Sequence, residues 1–142
     1  MYLHETIRQA IIDRIVAVGT TQASFYRSTV SEYSSYPAFV LEYADNENLW
    51  SSTKSDKKTF MFNLYIVYDM GNDEDSRKEA EENISNAVGE LYRDVFEKPD
   101  VLGIADGWLR ASNTTWGYGS NPDVPLRMAM MQLEVTVHED RQ

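Results

Sequence analysis

Residues 58–70 read KTFMFNLYIVYDM, and this stretch decides the fold. Phe60, Phe62, Leu64, Ile66 and Tyr68 share one face of an extended chain, while Met61, Asn63, Tyr65 and Val67 share the other. Side chains alternate across a strand, so the run reads as one long strand with large groups on both faces. Its β-branched and aromatic content is what a sheet selects. The expectation is a central strand buried on both sides. It needs a helix layer on one face and a second layer or a partner subunit on the other.

On either side lie two helical stripes. Leu3, Ile7, Ala10, Ile11, Ile15 and Val18 recur at helical spacing, with Arg8, Gln9, Asp13 and Arg14 on the polar side. Gly19 follows, where a left-handed residue would close the helix. The second stripe, Ala80, Ile84, Ala87, Val88, Leu91 and Val95, is the longer helix and the expected cover of the sheet, ending before Pro99. Ser76 with Glu79 three residues on fits a capping box at its start.

The remaining strands are a short one near 25–30, one over 36–44 behind Pro37, one over 108–116 and a long one over 126–138. Two polar stretches separate them. Residues 45–57, DNENLWSSTKSDK, read as a long loop carrying Leu49 and Trp50, and 117–125, GYGSNPDVP, as a glycine- and proline-rich link. Residues 99–107 read as a connection tucked against the core. The order is helix, three strands, helix, two strands. That is α+β, a mostly antiparallel sheet of four to five strands packed against two helices. All of 1–142 reads as a single domain.

Composition narrows the function. Thirteen basic against 23 acidic residues give a net charge of −10. This chain lacks the basic footprint that phosphate neutralisation demands, which excludes groove or backbone binding of nucleic acid. With no cysteine there is no disulfide, thiolate nucleophile or cysteine-based zinc site. No apolar run is long enough to span a membrane. The opening MYLHETIRQA, with Glu5, lacks the basic-then-apolar layout of a signal peptide.

No GxSxG, HExxH or phosphate-loop pattern occurs, and Gly117 and Gly119 lack the third glycine and following helix of one. His4 and His138 sit near opposite ends, so joint metal ligation, even with Glu139 or Asp140, is not expected. The chain reads as a non-enzyme with no catalytic, cofactor or metal residues. Aromatics stand out instead. Tyr33, Tyr36, Trp50, Trp116 and Tyr118 fall in or beside loops, and aromatics carry interface hot spots. Residues 69–82 hold seven acids and two bases, half of the net charge. A helix start accounts for most of them.

In outline the chain resembles the tail-terminator (tail-completion) proteins of long-tailed bacteriophages. The features that carry the resemblance are the opening helix LHETIRQAIIDRIVAVG, the strand YPAFVLEY entering an acidic-polar stretch, and the aromatic strand FMFNLYIVY. The acidic helix SRKEAEENISNAVGELYRDVF and the closing strand PLRMAMMQLEVTVHED complete the layout. The resemblance is one of element order over most of the chain, with no residue-level motif. It implies a structural virion protein at the tail–neck junction, assembled in the host cytoplasm. Six copies would form a homo-hexameric ring on the tail tube, stop its polymerisation and meet the neck or head connector. Partners would be the chain itself, the tail-tube protein and the connector, with viral DNA passing through unbound and no cofactor or membrane involved.

On that reading Leu49, Trp50, Trp116 and Tyr118 are candidate subunit or tail contacts. Asp45, Glu47, Asp73, Glu74 and Asp75 are candidates to face the lumen, where acids would repel DNA phosphates. A heterologous ring contact joins two different patches, and the two long loops would supply the arms. Alternatives are another neck or head-completion protein, or a ligand-binding module with a cavity lined by Phe60, Phe62, Leu64 and the helix stripe. An enzyme would require convergent polar groups with shifted pKa values.

Overall fold

In chain order the elements are α1 (His4–Val18), β1 (Ser24–Tyr26), β2 (Ala38–Trp50), β3 (Ser55–Asp69), α2 (Glu74–Glu90), β4 (Trp108–Asn121) and β5 (Val124–Asp140). A π turn, Leu91–Val95, extends α2. The structure is a computed structural model and describes residues 4–19, 23–27, 33, 35–50, 55–96, 108–121 and 124–140. The expected connection at 99–107 lies outside the described residues, as does most of the segment between β1 and Tyr33. The strands form one sheet in the order β1-β2-β3-β5-β4, with β1 parallel to β2 and every other pair antiparallel. The fold is α+β, and β3 is its middle strand.

One face of β3 carries the core. Phe60, Phe62, Leu64 and Ile66 are buried opposite Val135, Leu133, Met131 and Ala129 of β5, with Phe39 and Leu41 of β2 beside them. Ile7, Ile11 and Ile15 of α1 and Ile84, Val88 and Leu91 of the second helix close over this layer. Leucine- and isoleucine-rich stripes at helical spacing are what such a cover requires. Phe60, Phe62 and Leu64 thus interlock with the helices in one packed cluster, which removes the ligand cavity expected along them.

The opposite face is only partly covered. Ala38, Val40, Val67 and Leu126 are buried there under Tyr33, with Tyr26, Tyr36, Tyr65, Val124 and Met128 packed against them. Tyr33 meets both Tyr26 and Tyr36 edge-on, at ring separations of 5.1 and 5.9 Å. Tyr33 and Tyr36 therefore serve the chain's own second layer, Tyr33 buried and Tyr36 half-buried. Tyr36 precedes Pro37 through a cis peptide bond. Farther along the same face Met61, Asn63 and Tyr65 stay half-buried.

Both expected loops are strands. Residues 45–50 pair with 56–61, past a bulge at Ala44, so the connection between β2 and β3 shrinks to 51–54. Asp and Asn disfavour strands on average, yet here β3 is paired on its other side as well, from Ser55 opposite Asp140 onward. A ladder on both sides of β3 outweighs the propensity. Likewise 117–121 pair with 124–128, leaving only Pro122 and Asp123 between β4 and β5. Gly119 sits within that ladder opposite Leu126, and the atom nearest to a Cβ there would be the flexible end of Met128, its Sδ at 2.8 Å.

Two turns differ from expectation in detail. Gly19 ends α1 through its N–H to Ile15 O at 2.8 Å, and among the described glycines only Gly71 has a positive φ. The cap of α2 is Asp73, three residues before the Ser76–Glu79 box. Asp73 Oδ1 accepts the Ser76 N–H at 2.7 Å, and Arg77 N–H reaches Asp73 O at 3.1 Å. The sequence DEDS offers several capping acceptors in a row, and the turn chooses among them. Gly71, at φ 68°, donates to Asp69 Oδ1 and aims the chain so that Asp73 lands at the cap position.

Gly71→Ala is expected to cost about 1–2 kcal/mol for the left-handed backbone alone. A further penalty arises because the new Cβ would sit 2.5 Å from Ser76 Cβ. Urea denaturation measures it, and an unchanged midpoint would contradict this geometry. The Asp73 carboxyl is held below its ordinary value by the Ser76 backbone and side-chain hydrogen bonds. A depressed carboxyl stabilises the fold above its unfolded pKa and loses that contribution as pH falls through its folded pKa. The stability gap between the native chain and Asp73→Ala, present at pH 7, should therefore narrow as the pH drops below 3.8, read by thermal melts across that range.

Candidate interaction surface

The exposed aromatics gather around one arginine. Trp116 and Tyr118 alternate along β4, opposite Ala129 and Arg127 of β5. They are 42% and 68% exposed, the only large aromatics so open among the described residues. The Arg127 guanidinium lies 4.2 Å from the Tyr118 ring centroid and 5.4 Å from that of Trp116, within cation–π range. Its Nε sits 2.8 Å from Glu81 Oε1 on α2, and its Nη1 donates to Gly117 O at 2.9 Å. Tyr118 Oη reaches the same Glu81 oxygen at 3.4 Å. Arg127 is itself largely covered, so it acts as a pin that holds two rings in place with their outer surfaces free.

Beside this cluster an open cleft runs along the start of α2, lined by Met70, Glu74, Asp75, Arg77, Lys78, Glu81 and Tyr118. Glu74 and Asp75 are exposed in the first helical turn, where acids also favour the helix dipole. Around the edge of the sheet, Trp116 and Tyr118 also border a shallow apolar groove with Tyr65, Met128 and Met130. A groove of thioether and aromatic groups next to a charged cleft suits protein contact, because such side chains bury area and adapt in shape.

The fold thus brings four of the nine candidate residues to one end of the molecule: Trp116, Tyr118, Glu74 and Asp75. Asp73 lies at the same end but is spent as the helix cap. Leu49, Trp50, Asp45 and Glu47 lie in β2 toward the opposite end of β3, with Leu49 opposite Lys57 and Trp50 opposite Asp56. Their side-chain positions are outside what the structure describes. They form a paired arm in place of the expected loop, extending past the last core layer at Phe60 and Val135. His4 opens α1, and His138 pairs with Lys57 in β5.

Arg127 was not legible as the centre of this cluster. Its charge reads as outward, yet alternation along β5 sets it at the end of the row of Ala129, Met131 and Leu133, and only the register opposite Tyr118 and Tyr68 reveals its partners. No helix among the described residues is long and apolar enough to cross a membrane. No protein-family model matches this sequence, and comparison with curated proteins returns no match.

Proposed function

We propose that the chain is a structural virion protein of a long-tailed bacteriophage. Copies of it form a ring that caps the tail tube, stops its polymerisation and presents a face to the head connector. The observation that carries the reading is the layout of elements: an opening helix, an aromatic central strand, an acid-headed long helix and a long closing strand, in the order seen in tail terminators. Two features support it. The pinned Trp116–Tyr118 pair is a rigid aromatic patch of the kind that anchors subunit contacts, being large in area and already ordered. The β2–β3 arm, at the far end of the sheet from that patch, gives the two different surfaces a head-to-tail ring needs.

The acidic end adds an electrostatic argument. Glu74 and Asp75 stand exposed in the segment that holds half of the chain's net charge. Placed toward a lumen, such a surface repels phosphates and lets DNA slide through without adhering. The direct biochemical test adds purified protein to tail tubes polymerising in vitro. Tubes should stop growing in its presence, and a folded Trp116→Ser/Tyr118→Ser variant should stop them poorly. Tubes that grow at the same rate with or without the native protein would sink the proposal.

A further inference from the structure

The first turns of α2 rest on little packing. Glu74, Asp75, Arg77, Lys78 and Glu79 are exposed and Ser76 is half-buried, so the buried stripe of the helix begins only at Ala80. The Asp73 cap and the Gly71 bend order the backbone there without docking it onto the sheet. Open depressions flank this helix head on both sides. One is the cleft that Met70, Glu74, Lys78 and Tyr118 border, and the other lies along Tyr68, Asp69, Ser76 and Asn83. A helix end with so few buried contacts belongs to the least stable part of a fold.

Next to Ala80, Glu81 reaches from this head to the sheet. Its Oε1 lies 2.8 Å from Arg127 Nε and 3.4 Å from Tyr118 Oη, so one carboxylate oxygen meets both. The buried Arg127 Nε finds no aligned acceptor among the described residues, so charge and not a directed hydrogen bond holds the pair. Glu81 is half-buried and Arg127 largely covered, where an ion pair is screened less than at an open surface. From there the guanidinium runs on to Gly117 O and to the Trp116 and Tyr118 rings.

We infer that the Glu81–Arg127 pair is a latch that couples the head of α2 to the aromatic patch on β4. Glu81 draws the helix head over the cleft, and the same oxygen fixes the arginine and the tyrosine that order the patch. The coupling is reciprocal. A partner that immobilises Trp116 and Tyr118 also tightens the helix head, and a partner that lifts the helix head frees both rings. This is a property of the free chain and holds whether or not the patch serves a ring.

NMR relaxation of the full chain tests it, reading backbone order over 74–80 and the order of the Trp116 indole N–H. Glu81→Gln keeps the size and an acceptor but removes the charge, Arg127→Met removes the other partner, and Glu82→Gln on the exposed neighbour is the charge-matched control. Circular dichroism checks that each variant is folded. The signature is the crossed effect. Glu81→Gln on the helix should loosen the Trp116 indole, and Arg127→Met on β5 should loosen 74–80, each from an order parameter near about 0.85 toward the flexible range below about 0.6. The double variant should go little further than either single one, because both remove the same link. The control should match the native chain. Glu81→Gln with Trp116 as ordered as before, or Arg127→Met with 74–80 as ordered as before, would overturn the inference. So would a native chain whose residues 74–80 are already mobile.

Discussion

Phe62→Ala is expected to lower the unfolding free energy by about 3–5 kcal/mol, the largest effect of any single substitution considered. Phe62 is fully buried at the centre of β3, opposite Leu133, and meets Tyr43 at a ring separation of 5.5 Å. It lies within the cluster that joins both helices to the sheet, so no single neighbour can move in to fill the void. A cavity at the centre of a sheet collapses poorly, because the strands on either side are held by their ladders. Set against a total stability of about 5–15 kcal/mol, the loss leaves a marginal domain. Urea denaturation followed by tryptophan fluorescence measures it, and a loss below about 1 kcal/mol would mean that this face is not the core.

Arg8→Met is the second large effect, at about 2–3 kcal/mol. Arg8 is only 7% exposed and spans from α1 to the carbonyls of Leu41 and Tyr26. Burial lowers its pKa from the ordinary value, with nearby Arg27 acting the same way and Glu5 opposing. A guanidinium keeps its charge even so, and a charge accepted into this site signals the value of the carbonyls it satisfies. Methionine fills similar space but donates nothing, so two carbonyls at the sheet edge lose their partner. Arg8→Lys should recover only part of the loss, since a single ammonium cannot reproduce the guanidinium's two-carbonyl reach. A Met variant as stable as the native chain would show that water replaces the arginine without cost.

Both residues also measure how far the sequence could be read. Phe62 was legible because alternation along 58–70 is a local property: each residue's face follows from its neighbours two positions away. The same holds for the helix stripes and for the order of the seven elements. Arg8 was not legible. At its place on α1 it falls with the polar residues, and its burial arises from the short β1 strand, which leaves the Leu41 carbonyl open.

The long arm failed for a related reason. DNENLW and SDKK look like loop by propensity, and only pairing on both sides of β3 makes them strand. Of the candidate surface, Trp116 and Tyr118 were readable as exposed aromatics beside glycines. Their pinning by Arg127 and Glu81 depends on cross-strand register and on where α2 lands, neither of which is local.

The most direct measurement of the functional account is electron microscopy of particles from a phage lacking this gene. The account predicts overlong tail tubes without heads, because only the loss of a polymerisation stop lengthens a tail while also denying it a connector. Tails of normal length beside filled, tailless heads would contradict the terminator role and place the protein at the neck. Intact infectious particles would contradict a virion role altogether.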